Sequence, residues 1–460
     1  MENQNKKNTK WIGIAVLSVI ALALIGWCVY NAIDAKTIDK VYKFGSTAVL
    51  FVLIFLICAL GYLLGSITIK GVNLGTAGVF LVAILFGFLC TLPFENVPVL
   101  KAFHVTAGSD VVHTMGGSIQ NLGLILFVGS VGLIAGPNFF KNLAKNFKTY
   151  IFLGAVIIAS SSLVGVLFTV IFKSYGSGFW AGILSGALTT TPGFSAAQEA
   201  VMAKYPELSV EAIKALSEYT SISLGHAIAY PFGVVGVVLF VQLMPKFLKV
   251  DMDKERELLK LGSEEETKSR EGLFEVEPFG LVPIALAVVL GLMLGAVKIP
   301  LFGGSSFSFG TTGGVLIMGL VLGHFGKIGK LSLAVPETTL KLLRELGLML
   351  FLLGAGFEGG VNLVSSLAGE GPGMVIWGFV GGALMTIAPM VVGFFVSKYL
   401  MKLPLLNSLG SITGGMTSTP ALGTLINTAK TEDVASAYAS TYPIALVLVV
   451  LACQLMVTFL

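Results

Sequence analysis

Charge is scarce in this chain of 460 residues. Charged residues make up 12% of it and hydrophobic residues 55%, whereas a soluble domain carries about 25% charged residues. Mean hydropathy is +0.90, which excludes an ordinary soluble globular protein. Arginine is rarer still, confined to Arg256, Arg270 and Arg344, and a net charge of +4 lying mostly in short loops makes no nucleic-acid surface. The four cysteines, Cys28, Cys58, Cys90 and Cys453, sit in apolar stretches without CxxC spacing. That removes a disulfide framework and a zinc site and leaves small buried residues. The histidines (His104, His113, His226, His324) have no ligand-like spacing, so no metal or cofactor is expected. No HExxH motif occurs, and no Ser/His, Cys/His or paired-carboxylate arrangement falls on aligned spans, which argues against an enzyme. A passive channel wants a ring of like residues, and one chain shows none.

What the sequence has instead is a succession of apolar runs of about 18 to 25 residues, the length a bilayer span requires. The fold class expected is an all-α polytopic membrane protein. Residues 1–46 hold a lysine-bearing N-terminus (Lys6, Lys7, Lys10) and an apolar run, Trp11 to Tyr30, longer than a signal peptide's core and read as an extra transmembrane helix. A first repeat covers 47–248, with spans near 47–69, 75–92, 117–136, 149–172 and 219–244. A charged cytoplasmic linker covers 249–278 and includes Glu264-Glu265-Glu266; it reads as a solvated connection, with a docking segment the sharper alternative. A second repeat covers 279–460, with spans near 279–299, 311–325, 339–361, 373–397 and 434–459.

The repetition is legible segment by segment. Leu60-Gly61-Tyr62-Leu63-Leu64-Gly65 matches Leu290-Gly291-Leu292-Met293-Leu294-Gly295, and Leu122-Gly123 through Phe127 matches Leu346-Gly347 through Phe351. Gly132 and Gly136 fall on Gly356 and Gly360, and Tyr230-Pro231 falls on Tyr442-Pro443. Lysines at 141–148, 246–249, 327–330 and 398–402 mark the inner side. Five spans per repeat is an odd number, so the two repeats take opposite orientations.

Each repeat contains one stretch too polar for a lipid-facing helix and too apolar for a surface loop, at 179–200 and 405–428. Their centres are Gly186-Ala187-Leu188-Thr189-Thr190-Thr191-Pro192-Gly193 and Gly414-Gly415-Met416-Thr417-Ser418-Thr419-Pro420-Ala421. The residue before proline leaves the helical region, while Thr is a good N-cap and proline suits the first helical position. Thr191-Pro192 and Thr419-Pro420 therefore read as starts of half-helices inside the membrane, within re-entrant hairpins that enter from opposite faces. Their N–H groups and positive dipole ends favour an anion. Thr189, Thr190, Thr417 and Ser418 add hydroxyls, and Ser195, Gln198 and Asn427 add polar contacts one step along. Glu199 is either a proton or cation site or a solvated end. Close packing alone would explain one such stretch; two at matched repeat positions point to a binding site. Replacing Thr191 or Thr419 with Val is expected to lower transport without lowering expression.

Other features read more plainly. Gly132, Gly136, Gly356 and Gly360 are helix-packing positions, the Tyr-Pro pairs mark kinks, Arg344 is an interfacial anchor beside Lys341 and Glu345, and Glu358 is interfacial.

At the two Thr-Pro stretches, with Ala196-Ala197-Gln198 after the first and Leu422-Gly423 after the second, the sequence resembles the aspartate:alanine exchanger family of bacterial permeases. The resemblance covers both repeats. It implies an elevator-type secondary transporter of small carboxylates or amino acids in the bacterial cytoplasmic membrane, with a scaffold and a mobile domain in a homodimer. The partners it implies are a small anionic or zwitterionic substrate such as aspartate, alanine or a dicarboxylate, and the lipid bilayer. Members typically carry TrkA-C type regulatory domains between the halves; here only the short linker stands. The architecture also looks like that of sodium-coupled glutamate and citrate symporters, so Na⁺- or H⁺-coupled symport is the alternative to exchange.

Overall fold

The computed structural model describes residues 46–67, 75–92, 103–106, 109–209, 212–213, 216–260, 273–300, 306–307, 309–369 and 372–460. The expected N-terminal span, Cys28 and the Glu264–Glu266 run lie outside them. The described chain is nearly all helical: α1 (Ser46–Ser66), α2 (Ala77–Cys90), α3 (Asp110–His113), α4 (Gln120–Ile171), α5 (Gly176–Ala187), α6 (Thr191–Lys204), α7 (Ser217–Phe247), α8 (Met252–Lys260), α9 (Leu281–Gly295), α10 (Gly310–Phe325), α11 (Glu337–Gly369), α12 (Pro372–Phe395), α13 (Leu405–Gly415), α14 (Thr419–Ala429) and α15 (Val434–Phe459). Two-residue strands form two antiparallel pairs, Ile299–Pro300 with Ser306–Phe307 and Lys327–Ile328 with Leu331–Ser332.

Among the described residues six helical stretches are long and apolar enough to cross a bilayer: Thr47–Ser66, Asp110–Pro137, Lys148–Ile171, Ser217–Phe247, Gly373–Leu400 and Val434–Phe459. The apolar helices α2, α9 and α10 are shorter, at 14 to 16 residues; they rise about 21 to 24 Å, less than the roughly 30 Å hydrocarbon core. Large apolar side chains point outward, with Phe55 and Leu163 each 71% exposed. In water that surface would be a liability; in lipid it is the expected one.

One expectation fails at 137–148. The lysine-bearing segment there is not a loop, because helix α4 runs through it without interruption, Pro137 included. Asn138 to Lys148 contains neither glycine nor a further proline to stop a helix.

The contacts of the described residues fall into two compact units, one made of those up to Ser118 with Leu352–Val364, the other of those within Ile119–Phe351 with Ser365–Leu460. In the first, α1 meets α2 at Gly61, Gly65 and Gly78, while Gly356 and Gly360 of α11 abut the backbone of Phe80 and Ile84 on α2. In the second, α9 meets α10 at Gly291, Gly295 and Gly314, while Gly132 and Gly136 of α4 abut Leu316 and Leu320 on α10. These are the same contacts at repeat-matched positions, and they bear out the reading of those glycines as packing sites. Within the second unit α4 and α11 cross reciprocally. A Cβ on Gly123 would lie 2.3 Å from Phe351 N, and one on Gly347 would lie 2.5 Å from Phe127 N, so the backbones touch where the matched Leu-Gly segments meet.

Two further readings need correction. Arg344 is not an interfacial anchor: it is 4% exposed, its Nη1 pairs with Glu432 and its Nη2 donates to Glu345 Oε1 at 3.0 Å. A guanidinium at that depth needs a carboxylate partner, and the turn before α15 supplies it. Nor is the linker simply solvated, since Met252–Lys260 forms α8, which packs on α13 with Leu259 buried. Glu358 is half-buried, with its carboxylate against Gly116 in a π-helical turn, Thr114–Ile119. Cys58, Cys90 and Cys453 are buried free thiols.

Candidate functional site

Both Thr-Pro stretches form helical hairpins, α5 with α6 and α13 with α14. The arms are small-residue helices because their neighbours pass at backbone distance. A Cβ on Gly186 would lie 2.4 Å from His226 O, and one on Gly414 would lie 2.4 Å from Tyr438 O. Thus α5 is backed by α7 and α13 by α15. The second arms cross over: α6 packs on α15, where Ala196 meets Val450, and α14 packs on α7.

The two tips have one backbone design. Helix α5 ends with Thr189 N–H donating to Gly186 O and Thr190 N–H to Ser185 O, both at 2.9 Å; α13 ends with Thr417 to Gly414 and Ser418 to Thr413, both at 3.0 Å. This pairing of bonds closes a helix around one left-handed residue, and that residue is Thr189 (φ 51°) in one tip and Thr417 (φ 48°) in the other. Glycine is the usual occupant. A β-branched residue there is a genuine outlier and costs about 1–2 kcal/mol.

The reason for threonine is visible across the gap between tips. Thr189 Oγ1 donates to Thr417 O at 3.2 Å, and Thr417 Oγ1 donates to Leu188 O. Each hairpin's strained residue closes on the other hairpin's backbone. The two tips therefore meet through a reciprocal pair of hydroxyl–carbonyl bonds, with Thr417 3% exposed.

Helices α6 and α14 begin one residue earlier than expected. The N-caps are Thr190 and Ser418, in extended conformation, with Thr191 and Thr419 already helical and Pro192 and Pro420 in the first turn. Thr189 and Thr417 take the left-handed turn, so the chain has already reversed before the residue that precedes proline. At the first tip Thr190 Oγ1 accepts from Gly193 N at 3.3 Å. At the second, Ser418 makes no side-chain cap, and its buried Oγ has no hydrogen-bond partner among the described residues. Leu422 N–H donates to Ser418 O at 3.3 Å and Pro420 has no N–H, so the Thr419 and Ala421 N–H groups, which receive no side-chain cap, stand beside the Ser418 hydroxyl. Such a terminus carries about half a positive charge.

The remaining candidates separate. Thr191 and Ser195 are exposed on α6, Gln198 and Glu199 are half-buried farther along, and Gly193 is buried against Cys453. Asn427 does not join the tips. It lies at the far end of α14, on the wall of a cavity of about 1770 Å³ lined also by Arg256, Arg344, Lys430 and Glu432. Eight residues of helix separate it from Thr419, about 12 Å.

One residue behind the first hairpin was missed. His226 of α7 places Nδ1 2.9 Å from Ser185 Oγ, and its ring lies 4.9 Å from Phe194 and 5.3 Å from Tyr230. Ser185 Oγ also lies 2.8 Å from Gly182 O, so the hydroxyl stands between the imidazole and a backbone carbonyl of its own helix. The matched place behind the second hairpin holds Tyr438, stacked at 5.3 Å on Tyr442. The signal lay in the sequence: extending the Tyr230/Tyr442 match back by one helical turn aligns His226 with Tyr438.

Sequence comparison relates the chain to bacterial permeases and transporters. The family model described as Predicted Permease Membrane Region, of the aspartate:alanine exchangers, matches residues 53–246 and 283–458. The chain is 27% identical to an uncharacterized transporter of Bacteroides fragilis, over 88% of this chain and 97% of that one. It is 25% identical to an uncharacterized transporter of Desulfotalea psychrophila, over 88% and 96% of the two chains. A putative transport protein of Actinobacillus pleuropneumoniae is also 25% identical, over 89% and 98%. The 561 aligned positions of the first comparison take in only 88% of this chain, so that relative has well over a hundred residues with no counterpart here.

Proposed function

The chain belongs to the aspartate:alanine exchanger family of bacterial membrane permeases, and from that premise we propose that it is a secondary transporter of small carboxylates or amino acids, working by exchange. The substrate carboxylate sits at the paired hairpin tips. The observation that carries this reading lies at the N-terminus of α14, where Ser418 Oγ is buried with no partner among the described residues while the matched Thr190 caps its own helix. A carboxylate meeting Ser418 and the first-turn N–H groups would complete both the hydroxyl and the helix end. Thr189 and Thr417 hold the two tips in register around it, and Thr191 and Ser195 offer contacts from α6.

Movement is of the elevator type: a domain carrying both hairpins carries the bound anion across, and two oppositely oriented repeats supply the two matched hairpins. The reading places the protein in the bacterial cytoplasmic membrane as a homodimer, as the family resemblance implies. Reconstituted protein tests the reading through uptake of labelled aspartate into proteoliposomes, with and without internal alanine, in the absence of an ion gradient. Stimulation by internal alanine is expected. Uptake that requires an imposed Na⁺ or H⁺ gradient would replace exchange with symport, and failure to take up aspartate under any of these conditions would remove it as a substrate.

A further inference from the structure

The linker helix α8 touches the second hairpin at both of its ends. Helix α13 starts at Leu405 after Pro404, which offers no side-chain cap. The N–H of Leu405 instead donates to Glu255 Oε2 at 2.8 Å. Helix α14 ends at Ala429, followed by Lys430 in the left-handed region. The carbonyl of Ala429 accepts from Arg256 Nη1 at 2.9 Å, and Nη2 of the same guanidinium pairs with Asp253 one turn back on α8. Two neighbouring residues of the linker thus cap the entry and the exit of one hairpin. Each carries the charge that its helix end attracts, a carboxylate at an N-terminus and a guanidinium at a C-terminus.

The other end of α8 is equally well defined. Helix α7 closes around left-handed Lys249, with Val250 N–H donating to Pro245 O at 3.1 Å. Asp251 then starts α8 by accepting from Asp253 N at 3.0 Å. Only four residues separate α7 from α8, and α7 is the helix that backs the first hairpin. A rigid path therefore runs from the back of the first hairpin to both ends of the second, independent of the tip-to-tip bonds.

We propose that α8 is a clasp on the second hairpin, and that Glu255 and Arg256 are positioning residues that hold its arms, and with them Ser418, in the substrate-ready arrangement. The link to Ser418 rests on the transport reading above; the clasp itself does not. A short linker that ties the hairpin ends also gives a physical role to a segment that stands between the two matched halves.

The test is amide hydrogen exchange on the full-length protein in nanodiscs, read separately for peptides covering 405–430 and 176–204. Three double variants are compared with the parent: E255A/R256A, the charge exchange E255R/R256E, and E255Q/R256K, which keeps an acceptor and a donor in place. Exchange at the ends of 405–430 is expected to rise about tenfold in the alanine pair, as loss of a hydrogen-bonded cap implies, and further in the charge exchange. Peptides in 176–204 should stay at the parent rate, and E255Q/R256K should restore most of the protection. Unchanged exchange at 405–430 in both disrupting variants would overturn the clasp. So would an equal rise in both hairpins, because α8 would then support the whole fold and not one hairpin. The readout needs no substrate, so absence of aspartate transport would count against the transport reading and leave the clasp standing.

Discussion

Replacing Thr417 with Val tests whether the hairpin tips hold each other. Valine keeps the shape and β-branching of threonine, so the strain at φ 48° is the same before and after. What is lost is the hydroxyl that donates to Leu188 O on the opposite hairpin. Thr417 is 3% exposed and Leu188 is fully buried, so water cannot easily replace the bond, and an orphaned buried carbonyl costs about 1–3 kcal/mol. That converts to roughly a 5- to 150-fold increase in the population with the tips apart. Hydrogen exchange on peptides 184–194 and 412–422 reads that population. Exchange should rise in the first hairpin although the substitution lies in the second. Thr189→Val removes only the 3.2 Å bond to Thr417 O and should act in the same direction. The double variant should show an effect smaller than the sum of the two, because both bonds break in one opening event. If Thr417→Val raised exchange only in 412–422, the reciprocal bonds would not be what joins the tips.

Two other perturbations distinguish roles at neighbouring positions. Ser418→Ala removes a hydroxyl with no partner among the described residues and should leave thermal stability within about 0.5 kcal/mol of the parent while lowering transport. Thr190→Ala removes a working N-cap and should cost about 1 kcal/mol of stability; both are read by thermal unfolding followed by proteoliposome flux. Arg344→Ala strands the Glu432 carboxylate and should destabilise by about 3–5 kcal/mol. Arg344→Lys should recover only part of that, because one ammonium cannot serve both carboxylate partners in the guanidinium's planar geometry.

Much of this fold is legible because membrane helices are long and their contacts are made by glycine. Glycine positions survive as a pattern in the sequence, and each matched pair turns out to sit at a matched backbone crossing: Gly132 with Gly356, Gly186 with Gly414, Gly123 with Gly347. The helix starts near Thr191 and Thr419 follow from proline alone. The one-residue shift of the cap to Thr190 and Ser418 does not, because it depends on Thr189 and Thr417 adopting a conformation that sequence rules assign to glycine. Only the second hairpin, 228 positions away in the chain, supplies the carbonyl that makes threonine worth its strain there. Asn427 was grouped with the tips because it is close to them in sequence, and the rise of α14 carries it to the other end of the hairpin. The linker was misread for a similar reason. Its charges look solvated in composition, and nothing local says that Glu255 and Arg256 meet helix ends 150 and 173 residues later.

The repeats are matched in backbone and unmatched in the groups that can bind. The turn geometry, the prolines, the glycine crossings and the aromatic pairs behind each hairpin recur at corresponding positions. The cap hydroxyl does not recur in function: Thr190 is spent on Gly193 N–H, and Ser418 is left over. The exposures differ as well, with Thr191 open on α6 and Thr419 4% exposed on α14. A site made by two identical tips would present equal donors on both sides and would suit a ligand with two equal ends. An amino acid or a small carboxylate has one carboxylate to place against a helix terminus and different chemistry elsewhere. The two tips thus differ in the cap hydroxyl and in the face beside it, a difference that suits an unsymmetrical anion under the transport reading proposed above.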